Sequence, residues 1–160
     1  MQNWKVLFVK PRTEKKMTEY CALYGIPFYL PLREKTRVVQ RRKVTALIPV
    51  FPGYVFARFD QTRRLQVLQT NLPVRILEPD NPRRLVRDLV MVRRALRANP
   101  ALTAVKPLAK GRLVRIVKGS FMGIEGRIAR MAGTLKVVLN VDLIGQAVSV
   151  TAEVDQIEVL

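Results

Sequence analysis

Cations dominate the side chains of this sequence that could do chemistry. Lys and Arg number 29 against 12 Asp and Glu, giving a formal net charge of +17 over 160 residues. His is absent and Cys21 is the single cysteine. Zinc fingers, His-bound metals, Ser-His-Asp triads and internal disulfides are therefore removed from consideration. The sparse carboxylates show no convincing metal-binding arrangement, so an enzyme acting on nucleic acid is disfavoured and no metal or cofactor is expected. What remains is ionic contact with a polyanion, most economically nucleic acid. With 49% hydrophobic residues the chain should fold rather than behave as a basic tail.

The cations fall into clusters. Lys10, Arg12 and Lys16 lie at the end of a first strand and the start of a first helix, where helical spacing puts Arg12, Lys16 and Tyr20 roughly in line. Arg41, Arg42 and Lys43 crown an exposed hairpin or loop over residues 33–44, with Arg33, Lys35 and Arg37 in its rising arm. Arg63 and Arg64 open a further loop, and a run from Arg83 to Arg97 follows the last helix of the first domain as a solvated face. The planar guanidinium suits phosphate and base stacking, so the first-helix start, the hairpin tip and Arg63–Arg64 are candidate nucleic-acid contacts. None of them forms a helix-turn-helix or finger motif.

The elements that must position these groups divide the chain unevenly. Residues 1–108 carry 22 Lys and Arg against 7 Asp and Glu, whereas 109–160 carry 7 against 5. Prolines 100 and 107 bracket the change, which predicts a first domain over 1–100, a linker over 101–108 and a second domain over 109–160. In the first, Trp4–Lys10 reads as a central strand and Thr13 as the N-cap of a helix ending at Gly25. Strands over Ile26–Leu32, within Pro49–Phe59 and over Val74–Leu77 follow, with a short helix near Leu65–Gln69 and a last helix from Pro82, capped by Asn81. The order βαββαβα is that of a split βαβ sheet, an α+β fold. Five short β-rich runs between Leu113 and Leu160, punctuated by glycines, predict a small β-barrel. No apolar run approaches the ~20 residues of a membrane span and no signal peptide opens the chain, so a soluble, cytoplasmic monomer is expected.

Alternation along the strand after Pro52–Gly53 puts Tyr54, Phe56 and Arg58 on one face and Val55, Ala57 and Phe59 on the other. The second set is the better core. The first ends in a charge, as does the Trp4, Val6, Phe8, Lys10 face of the first strand, so its aromatics are expected to lie toward solvent. Two readings stand: a groove that receives a partner, or an ordinary face covered by the barrel or a loop.

The segments WKVLFVKPR, PVFPGYVFARF and GRLVRIVKGSFMGIEGRI together resemble the NusG family of transcription elongation factors, over essentially the whole chain. The resemblance implies a ferredoxin-like NusG N-terminal domain followed by a five-stranded KOW β-barrel. It further implies RNA polymerase binding at Phe8, Phe51, Tyr54 and Phe56, which would receive the clamp helices of the largest subunit and suppress pausing or termination. In paralogues of the RfaH type the start of the first helix also touches non-template DNA, here Lys10, Arg12, Lys16 and Tyr20; nascent RNA is a further candidate. In the barrel loop that meets ribosomal protein S10 or the terminator Rho, this chain has Leu143, Ile144, Gly145 and Gln146 in place of an aromatic followed by Gly-Arg. That departure argues against Rho, leaves S10 as a candidate partner, and favours a specialised, operon-serving antitermination paralogue. The rival is a ribosome- or RNA-associated KOW protein that uses its basic surface on folded RNA.

Overall fold

The computed structural model describes residues 2–160 and divides into two compact units. The first comprises the chain through Pro31 together with Phe51–Val86. Its four-stranded sheet has the order β2-β5-β1-β6, with β1 at Asn3–Val9, β2 at Phe28–Tyr29, β5 at Tyr54–Phe59 and β6 at Pro73–Leu77. Both neighbours of β1 run antiparallel to it. Helices α1 (Glu14–Leu23) and α2 (Gln61–Leu68) complete the layer, and α3 (Pro82–Ala98) begins here and continues into the second unit.

The period-2 pattern accounts for the core. Leu7, Val9, Val55, Ala57 and Phe59 share one face and pack with Met17 and Cys21 of α1 and Val67 of α2. Burial pushes the Cys21 thiol up to about 11, as expected for a small apolar core residue. The strand expected over Ile26–Leu32 contracts to two residues, because Pro27 and Pro31 can donate nothing to a ladder. Thr13 stands at the N-cap of α1 as predicted, its carbonyl accepting from the Met17 amide at 2.9 Å, but its hydroxyl makes no cap hydrogen bond and donates to the Lys10 carbonyl at 2.6 Å. Asp60 caps α2 by accepting from the Thr62 amide at 3.0 Å, and the Thr62 hydroxyl, also donating to it, holds its carboxyl below the ordinary range. Asn81 caps α3 as predicted, accepting from the Arg84 amide at 3.2 Å with Pro82 in the first helical position.

The second unit comprises Leu32–Val50 and Arg87–Leu160. β3 (Leu32–Val39) and β4 (Arg42–Pro49) form a two-stranded antiparallel ribbon of eight residue pairs, closed by Gln40 and Arg41 at φ 50° and 66°. These are the torsions of a tight hairpin turn, here carried by two residues that favour neither. β7 (Leu113–Ile116), β8 (Glu125–Met131), β9 (Thr134–Val141), β10 (Gln146–Thr151) and β11 (Ile157–Val159) make a five-stranded antiparallel sheet in the order β10-β9-β8-β7-β11. These are the five strands the glycine punctuation predicts. Its buried face is built from Val114, Ile116, Val137, Leu139, Val148 and Val150.

Residues 101–108 are more than a tether. Val105 bridges the edge strand β10 at Ala147, with N–H to O distances of 2.7 and 3.1 Å. The Asn140 side chain both accepts from the Leu108 amide at 2.9 Å and donates to its carbonyl at 2.8 Å. In the same unit, the Glu125 amide points to Met91 Sδ of α3 at 3.5 Å, and Arg94 of α3 reaches the Gly123 carbonyl at 3.5 Å. Among the described residues no helix is long and apolar enough to cross a membrane.

Candidate functional site

The aromatic face of the first sheet is set by register. β1 and β5 pair Phe8 with Tyr54, Val6 with Phe56 and Trp4 with Arg58, so these six side chains share one side. The Phe8 and Tyr54 rings meet with centroids 5.2 Å apart and planes tilted by 36°. Both are half-buried, and exposed Pro52 lies in the turn that leads into Tyr54. Phe56 and Phe51 are 0% and 1% exposed. The expectation of solvent-facing aromatics therefore holds for the half-buried Phe8 and Tyr54 and is corrected for Phe56, while Phe51, a polymerase-binding position the resemblance implies, is buried too. The reason is positional: β1 and β5 are the central strands, so Phe56 at mid-strand is flanked on both sides, whereas Phe8 and Tyr54 lie where the strands run out into the turn.

That turn is held from three directions. The Val9 amide donates to the Gly53 carbonyl at 2.8 Å, and the Tyr54 amide donates to the Phe51 carbonyl at 3.2 Å. The Gly53 amide donates to Glu14 Oε2 at 3.1 Å. Glu14 is buried, and its carboxylate bolts the first turn of α1 to the Pro52–Gly53 turn. Gly53 has φ 90°, and a Cβ there would stand 3.0 Å from Phe8 Cε1. Glycine is what lets the turn pass beneath the Phe8 ring. Sequence reasoning missed Glu14, since an acid in a first helical turn reads as a partner of the helix dipole. It also missed Lys5, which is buried, donates to the Phe59 carbonyl and lies 4.7 Å over the Phe59 ring.

The basic candidates separate on inspection. Lys10, Arg12 and Lys16 are exposed at the end of β1 and the start of α1. Arg12 lies in the turn before α1 with φ 61°, off the helix, so the expected line through Arg12, Lys16 and Tyr20 reduces to the helical pair Lys16 and Tyr20. Tyr20 is half-buried, packs on the core and stacks on Tyr24 at 6.1 Å, which occupies one face of its ring. Arg63 and Arg64 are on α2 rather than in a loop. Arg63 donates to the Tyr24 carbonyl at 2.8 Å and to Gln66 Oε1 at 2.9 Å, tying α2 to the end of α1, while Arg64 lies 3.6 Å from Glu78. Arg41, Arg42 and Lys43 are exposed at the ribbon tip. Holding an arginine at φ 66° costs on the order of 1 kcal/mol, so the tip keeps its charge at the expense of the turn.

In the second unit, Leu143 and Ile144 belong to a short 3-10 turn (Asp142–Ile144) ended by Gly145 at φ 63°. Ile144 is buried and Leu143 half-buried, and Gln146 starts β10 paired with Val141. Of the candidate partner residues Leu143, Ile144 and Gln146, the first and last have surface to offer, beside exposed Asp142 and Gly145. Among the described residues, no group of three or more His, Cys, Asp or Glu could hold a metal ion.

Comparisons with known proteins agree with this architecture. A family model described as transcription termination factor nusG matches residues 2–102. A solved structure from Thermotoga maritima, described as domain interaction in its NusG, is similar to this chain with a TM-score of 0.53 at 19% sequence identity. That match covers 99% of this chain and 97% of the other. No curated protein sequence matches.

Proposed function

The chain belongs to the NusG family of transcription factors, and on that premise we propose that it binds RNA polymerase through the Phe8–Tyr54 pair and suppresses pausing or termination as a specialised antitermination paralogue. The observation that carries this reading is the geometry of the pair: two aromatic rings in mutual contact at the strand ends, half-open and fixed by the Glu14–Gly53 bolt. Phe51 and Phe56 are buried, so Phe8, Tyr54 and exposed Pro52 form the surface offered to the tip of a coiled coil such as the clamp helices. Aromatic anchors of this kind dominate protein interfaces.

The action needs no bond chemistry. A clip that binds better to the closed clamp than to the open one raises the population of the elongating state by its differential affinity, and the paused state loses occupancy. Exposed Lys10, Arg12 and Lys16 offer phosphate contacts to the non-template strand beside the same sheet. Tyr54→Ala should weaken polymerase binding by roughly 30-fold or more, the ~2 kcal/mol of an interface hot spot. Its RNA affinity should stay unchanged, because an uncharged ring neutralises no phosphate. Titration of labelled protein with core polymerase and with RNA measures both. Retained polymerase affinity with lost RNA binding would favour the RNA-associated KOW reading instead.

A further inference from the structure

The four strands of the first sheet carry charge of one sign only. β1, β2, β5 and β6 contain no Asp or Glu, and their cations are Lys5, Arg58 and Arg75. Lys5 is buried on the helix-covered side, donating to the Phe59 carbonyl. Register puts both arginines on the aromatic side. Arg58 of β5 stands opposite Trp4, and Arg75 of β6 stands opposite Phe8, so Tyr54, Phe8 and Arg75 form a row across three neighbouring strands. Ile76, next to Arg75, faces the other way and packs on the core. Both arginines are exposed, and neither side chain has a hydrogen-bond or ion-pair partner among the described residues. Arg75 thus borders the Phe8–Tyr54 pair, and Arg58 closes the far end of the same face, about 14 Å from Tyr54 along β5. Because β5 and β6 flank β1 on opposite sides, the two arginine backbones occupy opposite corners, about 17 Å apart at the usual strand rise and spacing.

We propose that Arg58 and Arg75 select an acidic partner: the two-helix tip that seats on Phe8 and Tyr54 carries one carboxylate for Arg75 beside its apolar contact and a second for Arg58. The inference rests on the polymerase-binding reading and adds the chemistry of the partner's surface. Two packed helices lie 8–10 Å apart and each is roughly 10–12 Å across, so such a tip is about 20 Å wide. The ~17 Å diagonal therefore puts one arginine under each helix. A planar guanidinium holds a carboxylate through two parallel hydrogen bonds, which fixes orientation as well as charge. With no acid in the four strands, nothing in the sheet competes for either arginine. The Phe8 and Tyr54 rings lean on each other with centroids 5.2 Å apart, which leaves no gap for an inserted base. An apolar side chain with flanking carboxylates fits this face better than a nucleic acid does. Cations at the rim of an aromatic contact act chiefly on the rate of encounter and on the choice of partner.

The test uses the full-length protein and core polymerase free of nucleic acid, titrated between about 50 and 200 mM salt. Arg58→Gln and Arg75→Gln should each weaken binding about 3–5-fold at the low-salt end and less at the high end, with the loss in the association rate. Arg75→Glu should weaken it roughly 10-fold or more, because a carboxylate then faces a carboxylate, and Arg75→Lys should keep most of the affinity. Arg130→Glu makes the same charge change at an exposed position of β8 and should cost less than about twofold. Melting temperatures should stay unchanged, since both sheet arginines are exposed. Tyr54→Ala should lose affinity to a similar degree at every salt concentration, because ring contact is not screened. Binding by Arg58→Gln or Arg75→Glu no weaker than by Arg130→Glu, with Tyr54→Ala still impaired, would overturn the acidic partner and leave the polymerase reading standing. Full binding by Tyr54→Ala would overturn both.

Discussion

Replacing Gly126 with Val is expected to unfold the β7–β11 sheet. A Cβ at Gly126 would stand 2.5 Å from the Val138 carbonyl oxygen, 2.8 Å from Leu139 Cδ2 and 2.9 Å from Val137 Cγ1. The first of these is backbone in the partner strand, so no rotamer change relieves it; β8 and β9 must part. Such overpacking costs on the order of 3 kcal/mol or more, and the extra methyls of Val add to it. The five strands lie within residues 113–159, and a segment of that size contributes only about 2.5–7.5 kcal/mol of stability. Limited proteolysis should therefore cut the variant between residues 109 and 160, while Tyr54-dependent polymerase binding persists. Gly123 provides the contrast. A Cβ there meets only Arg94 Nη1, at 3.5 Å, so Gly123→Ala should carry backbone strain alone and leave the sheet folded.

The second large effect is at the turn that presents Tyr54. Gly53→Val places a β-branched residue at φ 90° with its Cβ 3.0 Å from the Phe8 ring, and both terms act on the same few atoms. Strain and overpacking together should cost about 2–4 kcal/mol, and the displaced Phe8 should abolish measurable polymerase binding. Glu14→Ala reaches the same turn from beneath. It leaves the buried Gly53 amide without its acceptor, at a cost of ~1–3 kcal/mol. Thermal melts and polymerase titrations read both variants. Tyr54→Ala should separate the two quantities, losing affinity with little change in melting temperature, because Tyr54 is half-buried and adopts ordinary strand geometry.

The sheet elements were legible in the sequence because the period-2 pattern is written in single residues: Leu7, Val9, Val55, Ala57 and Phe59 all appear in the observed core. The Asn81–Pro82 start of α3 and the Gly-punctuated strands of the second unit are equally local signals. What could not be read depends on partners distant in sequence. Alternation put Phe8, Tyr54 and Phe56 on one face but carried no information on how far along that face the cover extends, so the burial of Phe56 was out of reach. Arg63 reads as a free cation until α2 brings it to the Tyr24 carbonyl, 39 residues away. Arg42 and Lys43 are neighbours in sequence and opposites in space, a distinction that only the register of β3 against β4 makes. Asn140 gives no sequence hint that it grips the Leu108 backbone.

Contact between the Phe8–Tyr54 pair and the polymerase can be probed in place. Replacing Tyr54 with a photoreactive benzoylphenylalanine, irradiating the protein on an elongation complex and mapping the adduct tests this directly. A second probe at Leu23, 74% exposed on α1, serves as the reference position. Crosslinking from position 54 to the clamp helices of the largest subunit, with none from position 23, is the predicted result. No adduct from position 54, or equal yields from both positions on dispersed sites, would contradict it.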